Sequence, residues 1–199
     1  EPLAWIGRHF RDATANHLVL QPGTIRPLPN SAWAAIWFDP SVPARRSADL
    51  PLNRVLFPGI VVSRSGWTAE DSVLSFRSGE PENHEHADRN SLLFTAHGER
   101  LINDPLKASY NFTDPKWRLR LTAAHSAVLI DGSGHIYHHG EEGTNASTAH
   151  AQLVEYRTGR DWMVAVSNAA DAYQRAGLPA QQVQRSAVFL KPGIVIVLD

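Results

Sequence analysis

The run Asn83-His84-Glu85-His86-Ala87-Asp88 concentrates side chains able to hold a metal or move a proton. If the run is extended, His84, His86 and Asp88 fall on one face, because side chains along a strand alternate with period two. Two imidazoles at i and i+2 either ligate one metal together or divide the work, one on the metal and one on a substrate. The apolar run Ser91-Leu92-Leu93-Phe94 follows at once, so the motif is expected at the edge of a core, with Asp88 bracing it. Asp104 ends the strand-like stretch Glu99–Asn103 and precedes Pro105; a carboxylate there completes a metal shell or caps a turn. His125 marks the start of the apolar run Ala127–Ile130. Together His86, Asp104 and His125 offer two nitrogens and one oxygen, a common zinc shell with a fourth position left for water or another ligand.

Tyr110 precedes Trp117, Arg118 and Arg120. A phenol near a cation can act as a general acid or base. Arg118 and Arg120 alternate and could present guanidinium forks to a carboxylate or sulfate of a bound substrate. Arg64 and Trp67 form a similar pair, with packing the competing role. The group His135-Ile136-Tyr137-His138-His139, followed by Gly140 and two glutamates, reads as a solvated hairpin end. Asn111-Phe112-Thr113 and Asn145-Ala146-Ser147 match the glycosylation pattern, which is common by chance. The chain has no phosphate-cradling glycine loop, no Gly-x-Ser-x-Gly elbow and no His-Glu-x-x-His.

The elements that must position these groups are short. From Val55 onward, alternating or apolar runs recur between Gly, Asn, Asp and Ser. They predict strands at 59–63, 72–77, 91–96, 99–103, 127–131, 134–137, 151–156, 161–166, 184–190 and 194–198. Gly98, Gly132 with Gly134, Gly159 and Gly193 sit where hairpin turns are required. Helical patterns are confined to Trp5–Phe10 and to Ala169–Gly177, with Gly177 as a C-cap. The proline-rich stretch 21–58 reads as irregular, with short strands such as Trp33–Phe38. The fold class is therefore mainly β: an antiparallel β-sandwich of two packed sheets, with a short helical remnant at the N-terminus. The last run is strand-like without a closing turn, so the domain is expected to continue past residue 199.

Composition narrows the chemistry. The 199 residues contain no cysteine, so disulfides and thiolate metal ligation are excluded. Ten histidines remain for ligation or proton transfer. A net charge of −1 gives no sign of a nucleic-acid or membrane partner. No apolar stretch is long enough to span a bilayer, and no basic-then-apolar leader opens the chain.

The blocks Arg64-Ser65-Gly66-Trp67, Leu74–Gly79, Asn83–Ser91, His97–Asp104 and Ala124–Gly132, in this order and spacing, resemble the heparinase II/III-like family of polysaccharide lyases. The resemblance runs from about Pro51 to the end. It implies that residues 1–50 close a helical toroid and link it onward, and that 51–199 form the family's β-sandwich, cut at its C-terminal end. It implies β-elimination on uronate-containing polysaccharide (heparin, heparan sulfate or alginate) and a periplasmic or secreted setting. It implies a structural zinc on His86, Asp104 and His125, a catalytic His84 facing the substrate, and, on a looser match, a catalytic Tyr110. The remaining partners would be an acidic polysaccharide and the toroid of the same protein, without which this chain is expected to be inactive. The sequence departs from the family pattern at Asn83, where Gly is usual, and at Ser126, where Asn is usual. Two other readings of the residues stand beside this one: a cupin-like metal-dependent oxygenase using His84 and His86 together, and a non-catalytic carbohydrate-binding sandwich.

Overall fold

The computed structural model describes residues 2–20, 31–45, 50–82, 85–105, 107–111, 113–137 and 147–199. The chain divides into two compact units, 1–51 and 52–199. The first is helical: α1 (Pro2–Phe10), α2 (Ala13–Val19) and α3 (Ser31–Trp37). Asp12 caps α2 by accepting from the Thr14 and Ala15 amides at 2.8 and 2.9 Å. Ala4, Val19 and Ala34 form its small core, with Leu3, Trp37 and Phe38 against them. The run Trp33–Phe38, read above as a short strand, belongs mostly to α3. Trp33 and Trp37 lie one turn apart, their rings 5.6 Å from each other.

The second unit is a sandwich of two antiparallel sheets. One has the order β1 (Asn53–Leu56), β2 (Ile60–Arg64), β3 (Val73–Arg77), β4 (Leu92–Ala96), β5 (Glu99–Ile102). The other runs β6 (Gln152–Thr158), β7 (Trp162–Asn168), β8 (Gln184–Leu190), β9 (Ile194–Leu198). Strand alternation decides which side chains meet. Val61, Leu74, Phe76 and Phe94 point inward from the first sheet and Met163, Ala165, Ala187 and Phe189 from the second, all buried in one cluster. Phe94 and Phe189 meet edge to face, their centroids 5.7 Å apart. His97 and Gly98 both take positive φ between β4 and β5, as a tight two-residue hairpin needs.

Two expected strands do not form. Residues 127–131 and 134–137 make no ladder, only a bridge between Ile130 and Ser133 around an Asp131-Gly132 turn. Their apolar side chains serve a second core instead: Val128, Ile130 and Ile136 pack on Ala149, Ala151, Ala169, Ala172, Tyr173 and Val183. The Tyr173 hydroxyl donates to the Val128 carbonyl at 2.5 Å, satisfying a backbone group that a sheet would have paired. Short 3₁₀ helices, η1 (Pro115–Arg120) and η2 (Thr122–Ala124), replace the extended chain expected around the two arginines.

The sheets are tied where the chain leaves β3. Gly79 exchanges both backbone hydrogen bonds with Ala151, just before β6, at 2.9 and 3.1 Å. Gly79 has φ +85, and a Cβ there would lie 1.8 Å from the Pro58 carbonyl oxygen and 2.8 Å from the Gly59 Cα. Only glycine allows that approach. Gly79→Ala is expected to cost about 2 kcal/mol or more, read as a lower denaturant midpoint at unchanged m-value.

Candidate active site

The described part of the motif, residues 85–88, lies between β3 and β4 and forms no strand. Asn83 and His84 lie outside the described residues. The loop is closed at its base by the Asn90 amide on the Arg77 carbonyl, 2.7 Å, and the Arg77 amide on the Ser91 carbonyl, 3.0 Å. Ala87 is fully buried beside Trp117 and Tyr137, and its amide donates to the Arg120 carbonyl at 2.8 Å. That contact presses the motif onto η1.

Charged side chains hold the rest. Glu85 pairs with both Arg77 and Arg89. The Arg89 side chain is fully buried; its Nε donates to the Ala149 carbonyl at 2.9 Å and its Nη2 to the Glu80 carbonyl at 2.8 Å. Asp88 lies 3.7 Å from Arg89 and 3.9 Å from Arg77. Burial raises the Asp88 pKa, and the two guanidiniums pull against that rise. Asp88 thus faces the arginines and braces the loop, rather than sharing an exposed strand face with His86.

Three of the residues singled out from sequence converge. Asp104, just past β5, touches Nδ1 of His125. The His86 and His125 rings are 5.2 Å apart. His125 follows η2, and the next residue fixes it: the Ser126 hydroxyl accepts from the Leu92 amide at 2.8 Å and donates to the Leu92 carbonyl at 2.7 Å. Ser126 therefore does the anchoring at the position where the family pattern usually carries Asn. Burial, with His125 and Arg120 nearby, lowers the His86 pKa to about 4 against the opposing pull of Asp104, so the ring is neutral near pH 7.

Tyr110, Arg118 and Arg120 separate by environment. Arg118 is exposed. Arg120 is 2% exposed. A 3₁₀ helix has three residues per turn, so Trp117 and Arg120 eclipse on one buried face while Arg118 points away. The strand alternation that would have put both arginines on one face does not operate here. Tyr110 is largely exposed, its ring 4.3 Å from the Arg120 guanidinium carbon.

The donor chemistry at His86, Asp104 and His125 suits zinc: a neutral imidazole, a carboxylate, and a second imidazole whose buried Nε2 makes no hydrogen bond. As they stand, no three such side chains among the described residues enclose a common centre.

His135 was expected on a solvated hairpin end. Its ring is instead 7% exposed and lies edge-on to Tyr173 at 4.6 Å; His138 and His139 lie outside the described residues. Burial, with Arg89 and His125 nearby, lowers its pKa to about 3. A histidine depressed below its unfolded value stabilises the fold fully above about pH 6.5, and that contribution is lost as pH falls toward 3. The denaturant midpoint is expected to fall over that window by a few kcal/mol equivalent, and the fall is expected to shrink in His135→Phe.

Some positioning residues carried no sequence signal. Arg185 on β8 donates from Nη1 to the carbonyls of Asn90, at 2.7 Å, and of Ser126, so one side chain from the second sheet fixes both the motif's exit and the residue after His125. It also forks onto Asp199 at 2.6 and 2.7 Å. Nothing local marks Arg185, since its partners lie 59 and 95 residues away.

Solved structures share this fold. A crystal structure of a heparan sulfate lyase mutant from Pedobacter heparinus superposes with a TM-score of 0.67 at 18% identity, covering 98% of this chain and 26% of that one. A crystal structure of heparinase III gives 0.55 at 14% identity, covering 79% and 24%. The chain thus spans about a quarter of the length of the structures it matches. No curated protein matches it by sequence. The family model described as heparinase II/III-like, C-terminal, matches residues 58–199, and the chain belongs to that family of polysaccharide lyases.

Proposed function

We propose that this chain is the β-sandwich part of a lyase that cleaves uronate-containing polysaccharide, of the heparin, heparan sulfate or alginate kind, by β-elimination. The observation that carries the reading is the convergence of His86, Asp104 and His125, with Arg120 near His86 and Tyr110 on the Arg120 guanidinium, on a sandwich matched by the heparinase family. Family membership favours it over a cupin-like oxygenase.

In this reading His86, Asp104 and His125 hold a zinc ion that cross-links the β3–β4 loop, the end of β5 and the segment after η2. His84 meets the substrate. It neutralises the uronate carboxylate or takes the proton from C5, according to the sugar's stereochemistry. The C5–H electron pair forms the C4=C5 double bond, the C4–O4 bond breaks with its pair on O4, and an acid protonates O4. Tyr110 is the proposed acid, and the exposed Arg118 the proposed contact for a substrate carboxylate or sulfate. Residues of a helical domain would complete the cleft, and a periplasmic or secreted setting suits a polymeric substrate. Among the described residues no helix is long and apolar enough to cross a membrane.

The test incubates the complete protein with heparan sulfate, heparin and alginate separately and follows the ultraviolet absorbance of the C4=C5 unsaturated uronate. A rise with at least one polymer is expected. Chain cleavage without that chromophore would overturn the reading, as would binding without cleavage, which is the outcome for a carbohydrate-binding sandwich.

A further inference from the structure

Arg120 has no role in the reaction as written, yet it is built into the site. A buried guanidinium costs several kcal/mol of desolvation unless its surroundings return that energy. Its Nε donates to the Ser109 carbonyl at 2.8 Å, next to Tyr110. Its plane supports the Tyr110 ring at 4.3 Å. Its own carbonyl receives the Ala87 amide, one residue past His86. The buried Tyr137 hydroxyl lies beside the Arg120 side chain as well. One residue therefore grips the segment bearing Tyr110 through its side chain and the segment bearing His86 through its backbone.

We propose that Arg120 is a positioning residue that fixes the Tyr110 phenol relative to the motif loop, acting through the ring it supports and the Ser109 carbonyl it holds. The planar guanidinium suits both tasks: it stacks on an aromatic face while its edge donates. A lysine would keep the cation and lose the flat support. The inference rests on the lyase reading, in which Tyr110 is the proton donor.

The test is a double-mutant cycle in the complete enzyme, with Arg120→Met, Tyr110→Phe and both together, read as kcat and KM on the cleaved polymer. Arg120→Met is expected to lower kcat on the order of tenfold, with KM little changed. In the Tyr110→Phe background the same substitution is expected to have almost no further effect, because the group it positions is gone. Arg120→Lys is expected to recover part of the loss. Hydrogen exchange over residues 108–111 is expected to quicken in Arg120→Met, a readout independent of activity. Equal loss in both backgrounds would overturn the proposal, and so would a fully active Tyr110→Phe or unchanged exchange over 108–111. If Arg120→Met does not fold, Arg120→Lys carries the same cycle. If the unaltered enzyme forms no unsaturated uronate, the lyase reading falls, and the exchange measurement alone decides whether Arg120 holds this segment.

Discussion

His84→Ala in the complete protein is expected to lose about 10²–10⁴-fold in elimination rate while keeping its metal and its melting temperature. The division within His-x-His produces this asymmetry. His86 faces His125, whose Nδ1 meets Asp104. Among the described residues the loop is held by Ala87 on the Arg120 carbonyl, Glu85 between two arginines, and Asn90 on Arg77. His84→Ala leaves these contacts untouched and takes away the group proposed to meet the uronate. His125→Ala should behave oppositely, losing metal and stability together, because Asp104 would lose its buried partner. Metal content, melting and rate measured on the two variants distinguish the roles. A fully active His84→Ala would remove His84 from the mechanism.

Glu85→Ala carries the largest expected cost in stability, about 3–5 kcal/mol, the range for breaking a buried ion pair from one side. Glu85 is the shared acceptor for Arg77 and Arg89, and the Arg89 side chain has no exposure to water. Without Glu85, two guanidiniums are balanced by Asp88, at 3.7 and 3.9 Å, and by the charges of Glu80 and Glu82, none of which bridges both arginines at close contact. The loop bearing the motif would then have to open to hydrate Arg89. Chemical denaturation should show the loss directly. Glu85→Gln keeps one acceptor oxygen and is expected to lose less. A cost below about 1 kcal/mol for Glu85→Ala, the level of a surface pair, would contradict the role given to this network.

The strands whose partners lie next in sequence were legible. β2, β3, β4 and β5, and later β6 to β9, each pair antiparallel with the strand next in sequence, and their alternation matches the face they bury. Residues 127–137 were not legible, because apolar side chains report burial and not what the backbone pairs with. Val128 and Ile136 are partly buried, but against the cluster of Tyr173 and Ala172 and not in a ladder. Trp33–Phe38 shows the reverse ambiguity, a short aromatic run that fits strand and helix alike until the rings are seen one turn apart.

The site divides along the same line. The types and order of His86, Asp104 and His125 pointed to their meeting, since metal-competent side chains at element boundaries leave a trace in sequence. The supporting frame left none. Arg77, Arg89 and Arg185 look like ordinary surface charges until the fold brings Glu85, Asn90 and Ser126 to them. The local geometry around Arg120 was hidden too. Asp114 at the N-cap and Pro115 turn the chain into a 3₁₀ helix, and that alone sends Arg120 inward and Arg118 outward.

The most direct measurement is the mass of the oligosaccharides released by the complete protein from a uronate polymer in ¹⁸O-labelled water. Elimination creates a non-reducing end one water lighter than hydrolysis would and takes no oxygen from solvent at the cleaved bond. Products with that deficit and without label are expected. Products carrying the added labelled water would show hydrolysis and contradict the assignment of this sandwich to a β-eliminating enzyme.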